Sequence, residues 1–184
     1  MRWVYNIILG LLLFSQNSRA GVSFYTLKDA YDAGSANPQL YRFDDVSNFR
    51  SGTQAAISTR VTGQGFSSDI AIDEQGRFYL VNGNPTSTTD SKEIWSWNNV
   101  ADWASNTGAT RLGIRTGTTQ ISGFSVYQNE FYFLEGDPNA QGNKTLRKWS
   151  NATDWSNASN SGTSLGTRFT GAGLGFEIDA GGTV

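Results

Sequence analysis

Oxygen sets the chemistry open to this chain. Its 184 residues include no His and no Cys, which excludes Ser-His-Asp and Cys-His relays, zinc sites of the usual nitrogen and sulfur type, and disulfides. What remains is carboxylate and amide oxygen in three Asx-rich stretches: Asp29 and Asp32; Asn82, Asn84 and Asp90; Glu135, Asp137, Asn139 and Asn143. Asp69 stands apart, directly before an apolar run. Such side chains can bond the hydroxyls of a glycan or the polar surface of a protein, and they can coordinate calcium, which takes about 6–8 oxygens. The ligand-binding candidates are Asp69, Asn82, Asn84, Asp90, Asp137 and Asn139; the calcium candidates are Asp29, Asp32, Glu135 and Asp137. Asn, Asp, Gly and Pro also build turns, so the same residues have a purely structural reading. No set of residues forms a catalytic constellation.

Charge narrows the partners. Lys and Arg number 14 against 16 Asp and Glu, a formal net charge of −2, while Ser, Thr and Asn together outnumber the charged residues. Phosphate binding needs clustered positive charge and none is visible, so a nucleic-acid partner is not expected. At the N-terminus Arg2 precedes an apolar run from Trp3 to Phe14, followed by Ser15 to Ala20. Twelve helical residues rise only about 18 Å, short of the ~30 Å hydrocarbon core, and Ser18 and Ala20 supply small residues at −3 and −1. Residues 1–20 are read as a signal peptide and 21–184 as the exported domain, extracellular or periplasmic, with no membrane span after cleavage. An exported chain without Cys fits a bacterial source better than an animal one.

The elements that must position the loop oxygens recur. Phe24-Tyr25, Phe78-Tyr79 and Phe131-Tyr132 are spaced by 54 and 53 residues, and Thr62-Gly63, Thr116-Gly117 and Thr170-Gly171 by 54 and 54. Between them, Phe43 and Phe49, Trp97 and Trp103, and Trp149 and Trp155 form an aromatic-x5-aromatic element in each repeat. Each repeat holds four short segments of strand character. Asp69 to Asp73 and Phe78 to Val81 read as a hairpin around Asp73 to Gly76, and Gly123 to Tyr127 with Glu130-Phe131 as another around Gln128-Asn129. Ile94 to Trp97 is the third segment and Thr110 to Arg115 the fourth. Continuous apolar runs such as Phe78 to Val81 imply burial on both faces. Helical character is confined to one turn at Val100 to Trp103. These features predict an all-β fold of β-propeller blades, three four-stranded repeats of about 53 residues.

The order D-I-A-I-D-E-Q-G-R-F-Y-L-V…I-W-S-W from Asp69 resembles the blade grammar of NHL-type and YWTD-type six-bladed propellers. The repeat is longer than is usual for such blades, and the aromatic-x5-aromatic element is not part of that grammar. The resemblance implies inner strands at Ile70, Phe124 and Phe176 lining a channel, with Asp69 at its mouth. Lactonase-type propellers hold a divalent cation at that level, but one Asp per half-ring is too few for it.

The phase of the repeat leaves three outer strands at the start of the domain and a lone inner strand near Phe176. Two chains meeting head to tail would complete six blades, each inner strand serving the partner at Phe24 to Leu27; a fragment of a longer propeller would show the same phase. The aromatic pairs could stack on sugar rings, or the turn capped by Asn98 or Asn99 could fold the second aromatic back between blades. Two functions remain open: an exported non-enzymatic binding or scaffold module presenting a polar loop face to a glycan or protein, and a calcium- or carboxylate-dependent enzyme, a lactonase-like hydrolase or a lyase.

Overall fold

A computed structural model describes residues 24–28, 39–43, 46–51, 55–59, 67–84, 86–117, 120–170 and 178. The leader at 1–20, Asp29 and Asp32, and the inner strand expected near Phe176 lie outside the described residues, apart from Ile178, which is buried.

The fold is all-β and follows the repeat. β1 (Phe24–Lys28), β2 (Gln39–Phe43) and β3 (Ala55–Thr59) form an antiparallel sheet in that order. β4 (Ser67–Ile72), β5 (Phe78–Asn82), β6 (Lys92–Trp97) and β7 (Thr110–Arg115) form a four-stranded meander, and β8 (Ile121–Tyr127), β9 (Glu130–Glu135), β10 (Gly142–Trp149) and β11 (Thr163–Thr170) form another. The leading strands β4 and β8 lie against each other, so the two sheets pack as neighbouring blades. The first sheet has three strands among the described residues.

Alternation along β5 shows why its run is continuously apolar. Phe78 and Leu80 enter one cluster with Leu40, Ile70, Ile72, Trp97 and Trp103. Tyr79 and Val81 enter a second, with Ile121, Phe124, Phe131, Phe133, Trp149 and Trp155. Side chains point to opposite faces with period two, and here both faces meet a neighbouring blade. Each buried aliphatic or aromatic side chain contributes about 1.5–3 kcal/mol.

A short helix interrupts each blade: α1 (Val46–Ser51), α2 (Val100–Ser105) and α3 (Ala152–Ser156). The caps of α2 and α3 are reciprocal. Asn99 Oδ1 accepts the Asp102 N–H at 2.9 Å while its amide donates to Asp102 Oδ2, and Asn151 and Asp154 repeat this at 2.8 Å. Both helices lean back on the outer strand of the preceding blade, α2 on β3 and α3 on β7. Each carries its aromatic inward: Trp103 and Trp155 are 0% and 2% exposed, with ring centroids 5.1 Å from Phe78 and 5.2 Å from Phe133. The aromatic pairs of these two blades therefore hold blades together and offer no face to a sugar.

Candidate functional site

The loops after β5 and β9 lie at the same end of the sheets as the starts of β4 and β8, because Ser67 pairs with Asn82 and Ile121 with Glu135. Asn84 and Asp137 occupy the same place in the two loops and perform the same task. Asn84 Oδ1 accepts from the Thr86 N–H at 3.0 Å and its hydroxyl at 2.8 Å, and Asp137 Oδ1 accepts the Asn139 N–H at 2.9 Å. Both are Asx turns, so Asn84 Oδ1 and Asp137 Oδ1 are engaged within the loop. Asp90 and Asn139 are exposed beside them, Asn143 is exposed at the start of β10, and Asn82 is half-buried at the end of β5.

Two equivalent lysines hold these loops from beneath. Lys92 and Lys144 are buried, and their ammonium groups donate to loop carbonyls, Lys92 Nζ to Ser87 O at 2.8 Å and Lys144 Nζ to Ala140 O at 3.2 Å. Burial pushes the Lys92 ammonium below the usual lysine range, opposed by Asp90. Gly83 and Gly136 make the arrangement possible. Their φ values of 135° and 144° disfavour other residues, and an added Cβ would come within 3.0 Å and 2.8 Å of the lysine Cγ atoms. Sequence reasoning missed this device. Its signal is Gly83-Asn84-Pro85 against Gly136-Asp137-Pro138, with Lys92 and Lys144 following at nearly equal distances.

Gln120, also missed, joins the two loops. Its side-chain amide donates to Thr86 O at 2.7 Å, its carbonyl accepts the Gly136 N–H at 2.8 Å, and Ser122 Oγ donates to Gly136 O at 2.7 Å. The structure thus brings the Asn84 and Asp137 loops into one hydrogen-bonded surface.

Asp69 is not on that surface. It is 3% exposed between the blades, where Oδ1 accepts the Ile70 N–H and Oδ2 the Phe124 N–H, both at 2.8 Å. Burial pushes its carboxyl up to about 7, although both backbone donors favour the ionised form. At the opposite end Asp73, buried, accepts from the Gln75 and Arg77 N–H groups, Arg77 Nε and the Tyr79 hydroxyl. Arg77 reaches on to Asn129 and Glu74 to the Gln128 N–H, so the short turns of neighbouring blades are clamped together.

Of the calcium candidates within the described residues, Glu135 is paired with Arg147 at 2.9 Å and Asp137 is committed to its turn. Among the described residues no three acidic side chains gather where a cation would sit, so the described members do not by themselves fit a calcium centre.

No family model matches the chain and no curated protein is significantly similar to it, which leaves the NHL and YWTD resemblance resting on blade pattern. Among solved structures the chain matches an exo-β-1,3-galactanase from Phanerochaete chrysosporium in complex with β-1,3-galactotriose, at 15% identity and a TM-score of 0.45, over 80% of this chain and 32% of the enzyme. The chain spans about a third of that enzyme's length, and a likeness this distant carries no argument about activity.

Proposed function

We propose that the exported domain is a non-enzymatic binding or scaffold unit that presents its loop face to a glycan. The observation that carries the reading is the fixed polar surface formed where Gln120 ties the Thr86 carbonyl to the Gly136 backbone. Hydroxyl-rich ligands are bound by hydrogen-bonding groups held in place before the ligand arrives, since ordering them on binding costs affinity. Here the Asx turns and the two buried lysines order the backbone, while Thr89, Asp90 and Asn139 remain exposed to meet a ligand. The carboxylates of Asp69, Asp73, Glu93, Glu130 and Glu135 serve as structural acceptors, which favours binding over acid-base chemistry.

The test is glycan-array binding of the exported domain, followed by titration of a retained glycan against wild type, Asp90→Ala and Asn139→Ala. The reading expects a weakening of tenfold or so in at least one exposed-residue variant, with unchanged melting. Binding that survives both substitutions unaltered moves the site elsewhere, and an array with no retained glycan rejects the reading. The same titration in millimolar calcium decides whether Asp29, Asp32, Glu135 and Asp137 recruit a cation.

A further inference from the structure

Five of the six Trp residues lie among the described residues. Trp97, Trp103, Trp149 and Trp155 are at most 3% exposed and belong to the packed clusters between blades. Trp95 differs. It is half-buried and lies near-parallel to Trp97 with ring centroids 6.5 Å apart, so the core backs the indole while part of it meets solvent.

The ring is fixed by its neighbours. Trp95 Nε1 donates to Glu93 Oε2 at 2.9 Å, and Glu93 Oε1 accepts from Arg111 Nη1 at 3.0 Å. Strand register sets these groups on one face, because Trp95 pairs with Arg111 and Glu93 with Ile114. Ile114 is 43% exposed, and among the described residues only Leu165 joins it as a large apolar side chain in the open. One row nearer the loop end, Ser91 Oγ and Thr116 Oγ1 lie 3.1 Å apart, both residues exposed. A strip therefore runs down β6 and β7 from the end of the Asn84 loop: two hydroxyls, an apolar side chain, an ion pair and an indole.

The blade itself does not require this strip. By register Trp95 corresponds to Tyr41 in the first blade and to Arg147 in the third, while Glu93 and Ile114 correspond to Thr145 and Thr167. In the third blade these groups are spent within the blade. Arg147 pairs with Glu135 at 2.9 Å and donates to Ser161 O, and the Thr145 and Thr167 hydroxyls are 2.9 Å apart. Residues that hold blades together recur in kind, as Phe43, Trp97 and Trp149 do; those of the strip do not.

We propose that Trp95, Ile114, Glu93 and Arg111 form a stacking subsite for one uncharged pyranose of a glycan whose neighbouring sugars meet the loop face. The ligand class follows from the set. An indole beside an isoleucine removes the C–H face of a sugar ring from water. Each Glu93 oxygen keeps a lone pair for a hydroxyl proton, and the Arg111 side chain, 51% exposed, offers N–H donors. The ion pair has no net charge, so a sulfated or uronic sugar gains nothing from it over a neutral one. Because the indole and carboxylate already hold each other, a ligand does not have to order them. The proposal rests on the glycan reading and adds to its hydroxyl-bonding loops a ring to stack on.

Indole fluorescence reads the subsite directly, since Trp95 is a partly exposed ring among buried ones. The exported domain titrated with cellotetraose, laminaritetraose, mannotetraose and xylotetraose should give a blue-shifted emission with at least one, and the shift should vanish in Trp95→Phe. By calorimetry, Trp95→Ala should weaken that sugar by about tenfold or more and Ile114→Ser and Arg111→Ala severalfold. Ile114 and Arg111 are exposed, so their variants should melt as wild type does, which separates a lost contact from a lost fold. Full affinity in all three variants, with Asp90→Ala or Asn139→Ala weakened, overturns the subsite and leaves the loop-face reading standing. Weakening in these three variants with Asp90→Ala and Asn139→Ala unaltered keeps the subsite and rejects the loop face. Binding of none of the four sugars overturns the proposal, as does tighter binding of a heparin tetrasaccharide than of every neutral one.

Discussion

Asp69 accepts the Phe124 N–H at 2.8 Å across a separation of 55 residues, and its other oxygen accepts the equivalent N–H of Ile70 in its own blade. One buried carboxylate therefore ties together matching points of two leading strands.

That tie is pH-dependent. Burial raises the Asp69 carboxyl from 3.8 to about 7, so between those values the folded chain keeps a proton that the unfolded chain has released. Stability should be greatest at the acid end, fall as pH rises through this window, and level off above about 7. Urea midpoints measured from pH 5 to pH 8 should decline, and Asp69→Asn should remove most of the slope. An identical slope in the variant would show that another group is responsible. Asp69→Ala should lower stability at pH 5 by about 1–3 kcal/mol for each N–H left without an acceptor.

The helix aromatics should behave as core residues. Trp103→Ala and Trp155→Ala each remove a ring that is almost wholly buried, at a cost of about 3–5 kcal/mol. Chemical denaturation measures this, and a loss below 1 kcal/mol would contradict the packing. Asn151→Ala, which deletes only the cap of α3, should cost about 0.5–2 kcal/mol.

The lysine struts should rigidify the loops without carrying the fold. Lys144→Met keeps most of the stem beneath Gly136 but loses the bond to Ala140 O. Hydrogen exchange in residues 136–141 should accelerate severalfold while the β9 amides stay protected. Gly136→Ala, by contrast, should lower the melting temperature, since its φ and the nearby Lys144 both resist a side chain. Equal exchange in wild type and Lys144→Met would remove the strut from the account of the loop face.

Reading residues 1–20 as a leader makes a simple prediction. Material recovered outside the cytoplasm should begin at Gly21, and intact mass reads this directly. Exported protein that retains Met1 to Ala20 would mean an anchor in place of a cleaved leader.

Much of the blade was legible in the residues themselves because strand burial and repetition are one-dimensional signals. Phe78 to Val81 read as buried on both faces, Asp73 to Gly76 as a turn, and Asn98 or Asn99 as a cap that folds Trp103 back, of which the structure uses Asn99; each depends on neighbours within a few positions or one period away. The roles of the candidate site residues were not legible in that way. Asp69 looked like a channel-mouth ligand because its type permits it, yet the fold places it against Phe124 and the surrounding low-dielectric interior makes it a tether. Asn84 and Asp137 looked equally able to meet a ligand or a backbone N–H, and only loop geometry set each to accept the N–H two residues on. Gln120 carried no local mark, and Lys92 and Lys144 only the repeated Gly-Asx-Pro ahead of them, since a side chain that binds a carbonyl elsewhere in the chain is specified by the distance between two segments after packing. Composition and period determined the blades; the meeting of blades decided which polar groups are spent on holding them and which face outward.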